Sequence, residues 1–120
     1  MDPAGAADPA GHLTTVAEPV LAKIAAWTGR SWSHRVGWHR TRAQVVRAAV
    51  QQLADLAAAA ERRPRAAVPR IDADTLPGAG LADQLAVMVH DVVQTGDPTA
   101  CRRAADLIDR LGADLHLTRV

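Results

Sequence analysis

The stretch that decides the fold is residues 41–64, TRAQVVRAAVQQLADLAAAAERRP. Thr41 and Gln44 have the spacing of a capping box, in which a hydroxyl and an amide side chain each bond a backbone N–H of the first helical turn. One side of the stretch is apolar at helical spacing: Val46, Ala49, Val50, Leu53, Leu56, Ala57 and Ala60. Pro64 ends the pattern, so the stretch predicts one amphipathic helix of about six turns.

The chain before this helix divides into two parts. Residues 1–12, MDPAGAADPAGH, are rich in Pro, Gly, Ala and Asp, a composition that predicts a disordered lead-in. Val20, Ile24 and Trp27 then recur at helical spacing up to Gly29. They predict a short helix, preceded by an extended segment at 13–17, within a basic helical segment that runs from 13 to 63.

The chain after the long helix is divided by its Pro and Gly residues. Residues 64–80 hold three prolines and two glycines and are interpreted as a linker. Residues 81–112 have two apolar stripes interrupted at Gly96, and Asp97 is placed to cap a second helix. They predict an antiparallel helical hairpin, followed by a tail at 113–120.

Composition favours an all-α fold. The chain has 120 residues, of which 48% are apolar, with no Phe, no Tyr and many alanines. Alanine and leucine are strong helix formers, and this length suits one domain with its own core. We therefore expect a small helical domain, and the alanine and arginine bias suggests a bacterial genome rich in GC.

Charge is distributed unevenly along the chain. The net charge is +1, from 14 basic and 13 acidic side chains. Residues 19–54 hold six of the basic side chains and no acidic one, which leaves eight basic and thirteen acidic outside, a balance of −5. Such a cationic segment suits a polyanion such as DNA, although pairing with the acidic remainder is the alternative.

The joint before the long helix, WTGRSWSHRVGWHRTR at 27–42, holds all three tryptophans. In one interpretation, arginines contact phosphates and exposed Trp or His stack on bases. The candidate nucleic-acid-binding residues are then Arg30, Trp32, Arg35, Trp38, His39, Arg40, Thr41, Arg42 and Arg47. In the other interpretation, the tryptophans are packed in the core of a helix–helix joint and the arginines face water.

Residues 41–53 resemble the second helix of the ribbon-helix-helix DNA-binding proteins. The matching positions are Thr41, Gln44, Val45, Val46, Arg47, Ala49 and Val50, and TTVAEPVLAKIAAWTGRS at 14–31 is similar to that family's strand, first helix and turn. Residues 32–40 have almost no counterpart in the family, and 13–17 carries no Arg or Lys. The resemblance implies that Thr41 and the amides of Arg42 and Ala43 grip a phosphate and that Thr15 lies on a ribbon in the major groove.

Metal binding and catalysis have little support. No two histidines are three or four residues apart, and the single cysteine cannot complete a zinc motif. Cys101 lies on the apolar stripe of its helix, which indicates packing rather than nucleophilic chemistry. We therefore expect no enzyme, no cofactor and no metal, and the lone cysteine fits the cytoplasm.

These observations favour a small non-enzymatic DNA-binding regulator or accessory protein. The alternative is a helical protein-interaction or assembly subunit that binds no nucleic acid. In both cases the broad alanine-rich faces suggest self-association as a homodimer or a helical protein partner, and no membrane association is expected.

Overall fold

The computed structural model describes residues 8–37, 40–62 and 78–117. Within them the elements are, in chain order, α1 Pro9–Ala25, α2 Gly29–Trp32, β1 Arg35–Val36, β2 Arg40–Thr41, α3 Arg42–Ala60, α4 Gly78–Thr95 and α5 Pro98–Asp114. The prediction of a small all-α domain with one long amphipathic helix and a C-terminal hairpin is confirmed. The proposed linker lies outside the described residues except for 78–80, which are helical.

Helix α3 begins at the predicted capping box. The Gln44 amide N–H donates to the Thr41 hydroxyl at 3.2 Å, and the Thr41 amide N–H donates to Gln44 Oε1 at 2.8 Å. The buried face is wider than the predicted stripe, because Val45, Ala54 and Ala58 are buried beside it. Helix α3 therefore has a broad buried face, packed mainly against the two hairpin helices that follow it.

Helix α1 corrects two sequence-based expectations. Asp8 caps it by accepting from the Gly11 amide at 3.1 Å, and Pro9 occupies its first turn, so residues 9–12 are helical rather than disordered. The segment 13–17 is helical rather than extended, because burial of one side at helical spacing continues through it: Leu13, Ala17, Val20 and Ile24. Pro19 lies inside this helix, where its ring removes one backbone donor.

The hairpin of α4 and α5 turns at Gly96 and Asp97. Gly96 has a φ of +67°, which glycine adopts at little cost, and Asp97 accepts from the Ala100 amide at 2.8 Å. Helix α5 continues past the predicted end at Gly112 to Asp114. Its C-terminal turn is closed by a hydrogen bond of 2.8 Å from the Leu117 amide to the Gly112 carbonyl.

The four long helices enclose one core. Helix α3 packs against α4 and α5, and α1 packs against the same two helices, whereas α4 and α5 contact each other less. Lys23 at the end of α1 donates to the Leu117 carbonyl beyond α5, so these two C-terminal ends lie together. Residues at the start of α3 line a cavity with the end of α5, so α3 and α5 are antiparallel.

The core is aliphatic apart from Trp32 and Cys101. Its largest fully buried side chains are Leu13, Ile24, Val46, Val50, Leu53, Leu81, Leu85, Val92, Cys101, Ile108 and Leu115. Among the described residues no polar or charged residue is buried, and none of the helices formed by them has the length and apolar character needed to cross a membrane. The charged side chains of this part of the chain thus remain at its surface or its partly buried margin.

Candidate nucleic-acid interface

The joint between α1 and α3 contains a small antiparallel ribbon. Arg35 pairs with Thr41 and Val36 pairs with Arg40 across it. The turn begins at Gly37, whose φ of +72° suits glycine. The next two candidate residues in the chain, Trp38 and His39, lie outside the described residues. Because paired residues share a face of a ribbon, Arg35 and Arg40 lie on opposite faces.

The two described tryptophans pack on each other in the joint. The rings of Trp27 and Trp32 are 4.9 Å apart between centroids and nearly perpendicular, at 82°. Trp32 is 5% exposed, and Trp27 is partly buried. The expectation that Trp32 stacks on bases is therefore wrong, because the core and Trp27 cover its ring.

Arg42 extends this aromatic pair into a three-residue cluster. Its guanidinium carbon lies 4.7 Å from the centroid of the Trp27 ring, a cation–π geometry, and its Nη1 donates to the Ser31 carbonyl at 3.5 Å. The guanidinium is thus occupied inside the protein and partly buried. Arg42 joins α3 to α2 and to the end of α1 rather than presenting its charge to solvent.

The start of α3 also differs from the phosphate grip that the family resemblance implied. Its capping box already uses the hydroxyl and the amide of Thr41, and the amide of Arg42 donates to the His34 carbonyl at 2.9 Å. Thr15 lies in α1, where its hydroxyl donates to the Gly11 carbonyl at 3.0 Å, and not on a ribbon. The amides of Thr41 and Arg42 and the hydroxyl of Thr15 therefore donate within the chain, whereas the Thr41 hydroxyl accepts in the cap.

The remaining candidate arginines differ in exposure. Arg30, Arg35 and Arg40 are exposed at the joint, whereas Arg47 is partly buried on α3. Arg40 also lines a cavity of about 200 Å³ that contains Asp114. The exposed cations among the candidates are therefore fewer than the sequence pattern suggested: they are Arg30, Arg35 and Arg40, the last two on opposite faces of the ribbon.

In the described part of the chain, the possible metal-binding side chains are not grouped and the one thiol is buried. No three His, Cys, Asp or Glu side chains within it are grouped so that they could hold a metal ion. Cys101 is 1% exposed, and its thiol donates to the Val92 carbonyl at 3.7 Å. Burial raises the pKa of this thiol, with the Asp97 and Asp8 carboxylates adding to the shift, so the unreactive protonated form is favoured.

One surface feature was missed by the sequence analysis: a groove between α3 and α5. Three cavities of about 280, 430 and 200 Å³ follow one another along it. Arg103, Asp106 and Arg110 of α5 line the middle cavity of this groove. Charged residues at this spacing are also typical of a plain solvated helix face, so spacing alone could not reveal the groove.

Comparison with protein-family models, with curated proteins and with solved structures found no match to this chain.

Proposed function

We propose that this protein is a small, non-enzymatic cytoplasmic factor that binds nucleic acid through the phosphate backbone. The observation that carries the proposal is the absence of acidic residues from 19–54, together with the exposure of Arg30, Arg35 and Arg40 in that window. Arginine is well suited to phosphate because its planar guanidinium can donate two parallel hydrogen bonds.

The proposed binding is largely independent of sequence. Side chains that read bases must reach the base edges or stack on bases, and Trp32 and Arg42 are occupied inside the joint. Phosphate contacts position a protein on nucleic acid but carry no direct sequence information. A duplex of any sequence is therefore the expected ligand.

The test compares two double variants by the fluorescence anisotropy of a short labelled duplex. Arg30→Gln combined with Arg35→Gln removes two exposed charges from the joint and leaves Arg40, which also lines the groove, intact. We expect this variant to bind about tenfold more weakly at low salt, because two phosphate contacts and their counterion release are lost.

The matched control removes the same charge elsewhere. Arg62 and Arg102 are exposed and lie near the opposite end of the bundle, beyond the end of α3 and early in α5. Arg62→Gln combined with Arg102→Gln should leave the affinity within about twofold of wild type. Equal weakening by both double variants, or no binding of duplex by the wild type, would show that the joint is not the binding surface.

The α3–α5 groove favours a second candidate function, a helical interaction subunit without nucleic-acid binding. Leu56 and Leu107 are partly buried in the groove, and alanines on α3 permit close approach of another surface. Self-association as a homodimer is part of both candidate functions. Sedimentation in the absence of nucleic acid tests it separately from the binding of DNA.

A further inference from the structure

Helix α5 ends in a turn that contains a strained residue. His116 has a φ of +57°, in the left-handed region that glycine usually occupies just after a helix. Its amide donates to the Ala113 carbonyl at 3.1 Å, and the Leu117 amide donates to the Gly112 carbonyl at 2.8 Å. These two bonds form a Schellman turn, in which a residue with a Cβ is disfavoured relative to glycine. The turn therefore depends on contacts with the rest of the bundle to stay closed.

Two kinds of contact hold the turn against the bundle. Leu115 is 2% exposed, and Leu117 is partly buried and packed against the core. The ammonium of Lys23, near the end of α1, donates to the Leu117 carbonyl. Burial of the two leucines and the bond from Lys23 thus offset the strain at His116, and they do so at the end of α1.

The same end of α1 carries one part of the joint. Trp27 lies four residues after Lys23, and its amide still donates to the Ile24 carbonyl at 3.1 Å, so it continues the last turn of the helix. Residues four apart on a helix lie on the same side of it. The Trp27 ring contacts both the Trp32 ring and the Arg42 guanidinium. Displacement of the last turn of α1 therefore disturbs both contacts.

The backbone amide of Arg42 shows whether the joint is closed. It lies in the first turn of α3, where an amide has no carbonyl of its own helix to bond. It donates instead to the His34 carbonyl at 2.9 Å, at the end of the ribbon away from its turn. Separation of the ribbon from α3 breaks this bond, so exchange of this amide with solvent measures opening of the joint.

We propose that residues 115–117 form a latch that, when closed on the end of α1, holds the joint in place. The latch acts through α1, because Lys23 contacts the latch and Trp27 contacts α2 and α3. Strain at His116 favours opening and burial of Leu117 favours closing, so the latch opens without unfolding of the core. The inference goes beyond the proposed function, since it concerns how the joint is held whether or not nucleic acid binds.

The experiment is native-state hydrogen exchange of the whole chain, followed by NMR as the protection factors of the Leu117 and Arg42 amides. His116→Gly removes the strain and should lower the open population of the latch about fivefold. Both protection factors should then rise about fivefold, because the joint opens when the latch opens. The factors are corrected for the side chains beside each amide, which change its intrinsic rate of exchange.

A second variant changes the latch in the opposite direction. Leu117→Ala removes apolar contact with the core and should lower both protection factors at least about fivefold. Circular dichroism shows whether this variant is folded. If it does not fold, His116→Gly decides the question alone, because that substitution strengthens the turn.

The matched control is Arg62→Gly. Arg62 has the same φ of +57°, and its amide donates to the Ala59 carbonyl at 3.1 Å, but it follows α3 at the opposite end of the bundle. Glycine at this position relieves the same strain without changing the latch. The protection factor of the Arg42 amide should therefore stay within about twofold of wild type.

Two results would overturn the proposal. If His116→Gly leaves the protection of the Arg42 amide unchanged, the turn is only a local cap of α5. If His116→Gly and Arg62→Gly raise that protection equally, the change reflects global stability rather than the latch. Because no nucleic acid is present and the exposed arginines of the joint are unchanged, either result is independent of the proposed phosphate binding.

Discussion

At the scale of single residues, Arg42 is the cation whose surroundings differ most from those the sequence suggests. Sequence places it beside other arginines as a phosphate contact, but its guanidinium lies on the Trp27 ring. Fifteen residues separate the two along the chain, and only the turn through α2 and the ribbon brings them together. A contact between residues this far apart in the chain cannot be predicted from periodicity or local spacing.

Replacing Arg42 should therefore affect stability more than binding. We expect Arg42→Ala to lower the free energy of unfolding by about 1–2 kcal/mol, since a partly desolvated cation–π contact and packing on Trp27 are lost. Arg30→Ala, at an exposed position, should change it by less than about 0.5 kcal/mol. Urea unfolding followed by circular dichroism measures both, and equal effects of the two substitutions would contradict the structural role of Arg42.

The buried thiol of Cys101 should make the free energy of unfolding fall at alkaline pH. Burial raises its pKa above the ordinary value of 9.0, so the folded chain retains a proton that the unfolded chain releases. Unfolding then releases a proton, and stability falls as the pH rises above about 9. The stability of the wild type should decline more steeply between about pH 8 and 10 than that of Cys101→Ala.

Urea unfolding at several pH values measures this difference, and the Cys101→Ala variant serves as the control for effects of alkaline pH that do not involve this thiol. The thiol of the folded wild type should also react with a thiol reagent much more slowly than that of the urea-unfolded chain. Parallel pH profiles of the two proteins would show that the buried thiol does not contribute.

At the scale of elements, substitution of Thr41 distinguishes a role in capping α3 from a role in binding phosphate. Loss of its hydroxyl leaves the Gln44 amide without its partner, so Thr41→Ala should cost about 1 kcal/mol of stability, while Thr41→Ser should retain most of it. Urea unfolding of both variants measures this. Because the hydroxyl is engaged in the cap, duplex affinity at a temperature where both variants are folded should change less than about twofold. A large loss of duplex affinity in the folded Thr41→Ala variant would show that Thr41 belongs to the binding surface.

The elements themselves could be predicted where caps and periodicity agree. The capping box and apolar stripe gave α3, and Asp97 with Pro98 gave the start of α5. Asp8 and Pro9 likewise form a helix-start signal for α1. It was not recognised because the surrounding Pro, Gly and Ala residues predict disorder. Leu13 is fully buried in the core, and this tertiary contact, which no local pattern contains, extends the helix through 13–17.

At the scale of the whole molecule, the arrangement of the helices could not be predicted from the sequence. The short turn at Gly96 and Asp97 predicts that α4 and α5 are neighbours, yet each packs more extensively on α1 and α3. The α3–α5 groove follows from this arrangement. The exposure of Arg30, Arg35 and Arg40 agrees with both interpretations of the joint, so the nucleic-acid-binding surface stays a prediction, whereas the inward direction of Trp32 depends on three-dimensional packing.

The most direct test of phosphate binding at the joint is the salt dependence of duplex affinity. Each phosphate contact contributes about −0.9 to the slope of log Kobs against log salt concentration on B-form DNA. Measured between about 50 and 200 mM salt, the slope of the variant with Arg30→Gln and Arg35→Gln should be smaller in magnitude than that of the wild type by about 1.8. An unchanged slope in this variant, or a wild-type affinity that does not depend on salt, would contradict the account.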